Sequence, residues 1–224
     1  MLYNMIKTAL YLCGAIRNLE ISAPNIIKYI IEPNNCDVFI HAWNIKNTSY
    51  GIHRKQPDTN IDINVDKIVD LYKPKLIQLD AQSKCTIDYD FIVPPTLPLS
   101  IDNFQYMCYS LQQCNRLRQS SQIKYDYCIR GRFDLIVSKY INVTDYDTAM
   151  FNGLKQYDHD PKYISDNFFI TSSPNMDYAC NLYDNIRRLY NNGVLYNPEM
   201  MLTSYIMETL PITINNFGVS VRKT

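Results

Sequence analysis

Residues 125–138, YDYCIRGRFDLIVS, constrain the chain more than any other stretch. Tyr127, Cys128, Ile129, Phe133, Leu135, Ile136 and Val137 give it the apolar, β-prone composition of a buried strand. Arg130, Arg132 and Asp134 interrupt that run at a spacing of two, which on a strand puts all three on one face. Charged groups in a core are costly without partners. Either the three neutralise one another in a network that only holds the fold, or they face a charged ligand. Two cations beside one carboxylate leave a positive spot that suits a diphosphate, with Asp134 able to take a divalent metal.

The rest of the chain alternates strand-like and helix-like segments. Thr8 to Gly14 (TALYLCG) reads as a first strand running into a turn that contains Gly14 and one cation, Arg17, either a phosphate contact or a solvated loop residue. Ser22 reads as an N-cap with Pro24 in the first helical turn, and Pro33 as the stop. Asp37 to Trp43 (DVFIHAW) is a second strand whose end carries His41 and the single Trp, at the sheet edge where open α/β sheets bind ligands. There they are either ligand contacts or a core His packed on a Trp. A polar stretch, 44–64, reads as a long loop. A short helix near 65–72, a strand at 75–79, an irregular PPTLP segment and a helix capped by Ser100 or Asp102 follow. Further strands are expected at 149–153, 164–172 and 212–221, with one helix from Ser173 to Gly193 and another opened by Asn197-Pro198-Glu199. This alternation predicts a single α/β domain over residues 1–224, with a largely parallel sheet flanked by helices.

Composition excludes several classes. Basic and acidic side chains number 22 each, which argues against a general nucleic-acid binder. No apolar run approaches the roughly 18 residues of a membrane span, and residues 9–16 lack the basic start and cleavage site of a signal peptide. The seven cysteines never form CxxC and fall in apolar segments, which predicts reduced thiols in a cytoplasmic protein. There is no GxGxxG and no GxxxxGK[ST].

Four motifs resemble glycosyltransferases of the A-type nucleotide-sugar-binding fold, in particular a group found in large DNA viruses and bacterial surface-polysaccharide clusters. They are ALYLCGAIRN, DVFIHAW, YDYCIRGRFDLIV, and the pair SDNFFITSS and NPEMML, and together they anchor residues 8 to about 210. The resemblance implies transfer of a sugar from a nucleotide-diphosphate sugar to a glycan or glycoprotein acceptor, in the host cytoplasm if the protein is viral. It also implies that Asp134 matches the last Asp of a DxD element that holds Mn²⁺ or Mg²⁺. Here Arg132 stands where the first Asp would be. Literal DxD triplets at Asp88–Asp90, Asp145–Asp147 and Asp158–Asp160 sit in Tyr/Asp-rich loops and read as chance.

Within that expectation Arg130, Arg132 and Asp134 stabilise the leaving diphosphate, and Gly14, Arg17, His41 and Trp43 flank the base and ribose. Asp166 and Glu199 are the candidates for the base that deprotonates the acceptor. Each has a structural alternative: Asp166 as the start of a strand, Glu199 as a first-turn acid favoured by the helix dipole. The competing functions are a methyltransferase-like nucleotide enzyme, or a sugar-binding module that kept the fold without the chemistry.

Overall fold

The computed structural model describes residues 6–44, 64–92, 101–155 and 162–221. The expected polar loop therefore falls almost wholly outside the described residues, as do Ser100 and Asp158–Asp160. A seven-stranded sheet runs through the molecule: β1 (Thr8–Gly14), β2 (Asp37–Trp43), β3 (Leu76–Asp80), β4 (Tyr127–Gly131), β6 (Phe151–Lys155), β7 (Ile164–Ser172) and β8 (Ile212–Asn215), in the order β3-β2-β1-β4-β7-β6-β8. Six strands point one way, and β7 runs antiparallel to both its neighbours. The expected α/β architecture with a mostly parallel sheet is what the chain adopts.

β1 is central and buried on both faces, which is why TALYLCG is continuously apolar rather than alternating. Ala9, Tyr11 and Cys13 face a core built with α4 (Ile101–Ser120), α5 (Ser173–Ala179), α6 (Leu182–Asn191) and α7 (Pro198–Met207). Leu10 and Leu12 face the opposite core, with Ala23 and Ile26 of α1 (Leu19–Ile26), the π-helical turn Ile27–Ile31, and α3 (Val65–Tyr72). The chain thus crosses on one face through α1 and α3 and on the other through α4, and the direction of winding reverses between β1 and β4. The crevice beyond the carboxyl ends of those two strands is where such sheets bind ligands. Among the described residues no helix is long and apolar enough to cross a membrane.

Several boundaries differ from the sequence expectation. The first helix begins at Leu19 behind a left-handed Asn18 (φ 53°), and Ser22 turns its hydroxyl back onto the Asn18 carbonyl at 2.9 Å instead of capping. The run continues through α2 (Glu32–Asn34), so Pro33 opens a last turn. The 125–138 stretch is two strands, not one. β4 ends at Gly131, a turn at Phe133 and Asp134 follows, and β5 (Leu135–Val137) pairs with β9 (Val219–Val221) in a separate ribbon. The expected last strand is likewise divided, β8 staying in the main sheet and β9 leaving it through Gly218 at φ 66°. The helix expected from Ser173 breaks at Cys180 and Asn181.

β7 carries a wide irregularity. Gly153 pairs with Phe169 and Lys155 with Ile164, so the single residue Leu154 of β6 is spanned by Ser165, Asp166, Asn167 and Phe168 of β7. Such bulges re-aim side chains. Glycine makes room for it: a Cβ on Gly153 would stand 2.7 Å from the Ile164 Cβ, and Ile164 is stiff and fully buried. Gly153→Ala is expected to lower stability by about 1–3 kcal/mol through overpacking. Equilibrium denaturation checks this, and an unchanged midpoint would show that the bulge tolerates the methyl.

Candidate active site

The switch-point crevice collects charge from three elements. β1 ends on Gly14 at φ 108°, a conformation that suits glycine, and a Cβ there would meet nothing within 4 Å. The turn beyond it delivers Arg17 and Asn18, and the Asn18 Nδ2 is buried with no hydrogen-bond partner among the described residues. β4 delivers Arg130 as its penultimate residue, Arg132 follows the strand, and Asp134 sits in the turn.

The two strand arginines differ. Arg130 is fully buried, and its Nη1 donates to the Asn167 main-chain carbonyl. Its Nε and Nη2 have no hydrogen-bond partner among the described residues. Leaving a buried charged donor unmatched is costly, so this guanidinium is suited to an anion. Burial raises the Cys13 thiol, while the neighbouring Arg130 pulls it down. Arg132 forms a fork on Asp134, Nε to Oδ1 at 2.8 Å and Nη2 to Oδ2 at 2.7 Å, and its Nη1 donates to Asn167 Oδ1 at 2.8 Å. Burial works against its charge, but the carboxylates of Asp134 and Asp166 outweigh that and raise its pKa. Among the described residues three of its five N–H groups are used, which leaves one on each terminal nitrogen. Arg17 Nη1 stands 3.9 Å from the same Asp134 oxygen, so Asp134 ties the β1 turn to the β4 turn.

The neighbouring strand β7 and helix α7 carry carboxyl groups. The bulge in β7 holds Asp166, and α7 opens with Glu199 in its first turn behind Asn197, which caps the helix by accepting from Met200 N at 2.9 Å. Burial raises the Glu199 carboxyl to about 7, and the nearby negative charge of Asp166 pushes the same way. The charge of Asp166 thus reaches both Glu199 and Arg132.

His41 and Trp43 are packed inside the protein at the carboxyl end of β2, where His41 pairs with Cys13 and Ala42 with Gly14 of β1. His41 is fully buried, with Nε2 3.2 Å from Asp80 Oδ2 and Nδ1 2.7 Å from Ser110 Oγ. Burial lowers its pKa, and the hydrogen bond and charge of Asp80 only partly offset this. Burial alone would raise the Asp80 carboxyl, but hydrogen bonds from Lys84, Gln78 and His41 outweigh it and hold it below the usual range. Trp43 is walled in by Tyr106 and Tyr109 of α4. With both polar edges of the imidazole occupied, the pair locks β2 to β3 and α4.

A resident Mn²⁺ or Mg²⁺ fits Asp134 poorly. A hard cation wants several oxygen ligands, whereas both oxygens of Asp134 accept from Arg132. Among the described residues no group of three His, Cys, Asp or Glu could hold a metal. The Asp88–Asp90 pair binds Arg187 instead.

No protein-family model and no curated protein matches the chain. Gly14, Arg17, Arg130, Arg132 and Asp134 come from the carboxyl ends of β1 and β4 and the turns beyond them, Asp166 from the β7 bulge and Glu199 from the first turn of α7, while His41 and Trp43 are buried at the end of β2. Sequence reasoning missed Asn18, Asn167 and Asp80. Asp80 had a signal, since it ends a strand beside the strand that carries His41. Asn18 and Asn167 had none, because an Asn at a turn or a strand start is ordinary.

Proposed function

We propose that the chain is a glycosyltransferase of the A-type nucleotide-sugar fold, acting in the cytoplasm on a nucleotide-diphosphate sugar and a glycan or glycoprotein acceptor. One observation carries the reading: near the switch point of a mostly parallel sheet, Arg130 and Arg132 gather with Arg17 and Asp134, and the charge of Asp166 reaches both Arg132 and Glu199. Glycosyl transfer needs both kinds of group. The bond from the anomeric carbon to the diphosphate breaks with its electron pair leaving on the diphosphate, where fixed cations stabilise the charge. The acceptor oxygen bonds to the anomeric carbon, and its proton passes to Glu199, whose pKa near 7 suits a base at neutral pH. No step is assigned to a metal.

A thermal-shift screen tests the reading with UDP, GDP, dTDP and their sugars, with and without Mn²⁺. A ligand at 100 times its Kd stabilises by about 2.7 kcal/mol, a shift of several degrees in Tm. Nucleoside diphosphates are expected to stabilise without Mn²⁺. A response only to S-adenosylmethionine, or only to free glycan, would replace the reading with a methyltransferase or a sugar-binding module.

A further inference from the structure

Asn167 is bonded to both strand arginines by different atoms. Its main-chain carbonyl accepts from Arg130 Nη1, and its side-chain Oδ1 accepts from Arg132 Nη1 at 2.8 Å. The amide is held from behind. Asn167 Nδ2 donates to Ser165 Oγ at 2.7 Å, and Asn167 N donates to the same oxygen at 3.2 Å. Ser165 is fully buried. With Nδ2 committed to Ser165, Oδ1 has to face Arg132, since the reverse orientation would set N–H groups against a guanidinium that has only donors. All of this sits in the β7 bulge, which brings Asn167 to the arginines while its neighbour Asp166 acts on Arg132 and Glu199.

We propose that Asn167 is a positioning residue that locks Arg130 and Arg132 into one clamp for a diphosphate, with Ser165 setting its amide. The inference rests on the diphosphate-binding reading above and adds the part that orients it. Among the described residues Arg132 is otherwise hydrogen-bonded only to Asp134, itself in a turn, and a long arginine side chain fixed at one edge can still swing. The second anchor on β7 makes its remaining N–H groups point to one place, which is the condition for charge-assisted recognition of a diphosphate.

Calorimetric titration with inorganic pyrophosphate in EDTA tests this on wild type, Asn167→Ala, Arg132→Ala and the double variant. Wild type is expected to bind. Asn167→Ala should weaken binding about tenfold, the loss for one charge-assisted hydrogen bond, with Tm nearly unchanged. Because Asn167 acts through Arg132, the double variant should bind no more than about twofold weaker than Arg132→Ala alone. A merely structural Asn167 would give additive losses. Wild-type affinity in Asn167→Ala, or additivity in the double variant, would overturn the positioning role while leaving the diphosphate site standing. Failure of wild type to bind either pyrophosphate or a nucleoside diphosphate would overturn the site and the positioning role together. Should Asn167→Ala not fold, Ser165→Ala carries the same measurement: it leaves Asn167 in place with its amide free to turn, and is expected to weaken binding severalfold.

Discussion

Arg132→Ala is expected to lower turnover with a nucleotide sugar by about 10²–10³, while excess EDTA lowers wild-type turnover only in part. The magnitude is that of removing one preorganised donor from a developing charge, about 2.7–4 kcal/mol. Under the proposed function that task falls to Arg132. It is forked onto Asp134, anchored on Asn167, and keeps two N–H groups for a ligand. The merely partial loss in EDTA follows from the same contacts, because the carboxylate that would hold a metal is already engaged by this arginine. Arg132→Lys should recover only part of the loss, since an ammonium lacks the planar fork and cannot bond Asp134 through two edges at once. Steady-state kinetics on the three proteins, each with EDTA or Mn²⁺, decide the matter. Total loss in EDTA with a mild effect of Arg132→Ala would mean that Arg132 only pairs with a buried acid and that a metal does the work.

The second large effect belongs to Glu199. Burial and the charge of Asp166 both oppose the ionised form, so the carboxyl keeps its proton to about pH 7. A base has to be ionised to act, so kcat/KM is expected to rise with pH through about 7 and then level off. Glu199→Gln should lower turnover by about 10²–10⁴ and remove that limb of the profile. Asp166→Asn should move the limb to lower pH without abolishing it, because one of the two causes is removed and burial remains. A rising limb that persists unchanged in Glu199→Gln would assign the titration to another group, and Glu199 would then be a first-turn acid serving only the helix.

Much of the fold was legible because burial leaves a local trace. TALYLCG and DVFIHAW are apolar on both faces, as only strands of a covered sheet are, and the observed β1 and β2 match them residue for residue. ISDNFFITS was legible for the same reason. What failed were the places where apolar character persists while the hydrogen-bonding partner changes. Residues 127–137 read as one strand because Phe133, Leu135 and Val137 are as buried as Cys128 and Ile129. Yet the first part pairs with β1 and β7 and the second with β9. Residues 212–221 divide between two sheets in the same way.

The candidate site divides along the same line. Sequence alone determined that two arginines and an aspartate interrupt a buried segment, and that Asp166 and Glu199 open a strand and a helix, because charge at a fixed spacing and a capped helix start are local properties. Tertiary structure decided their relations. It folded Asp134 back onto Arg132, buried Arg130 with two donors unmatched among the described residues, held His41 and Trp43 in a packed network closed by Asp80, and brought the charge of Asp166 to bear on Glu199. It also brought Asn167 to both arginines through a bulge that depends on a glycine in the neighbouring strand. The physical reason is range. Whether a residue prefers burial is set by its own chemistry, but a buried charge is held by whichever donors and acceptors the crossovers bring within about 3 Å, and those come from segments far apart in the chain.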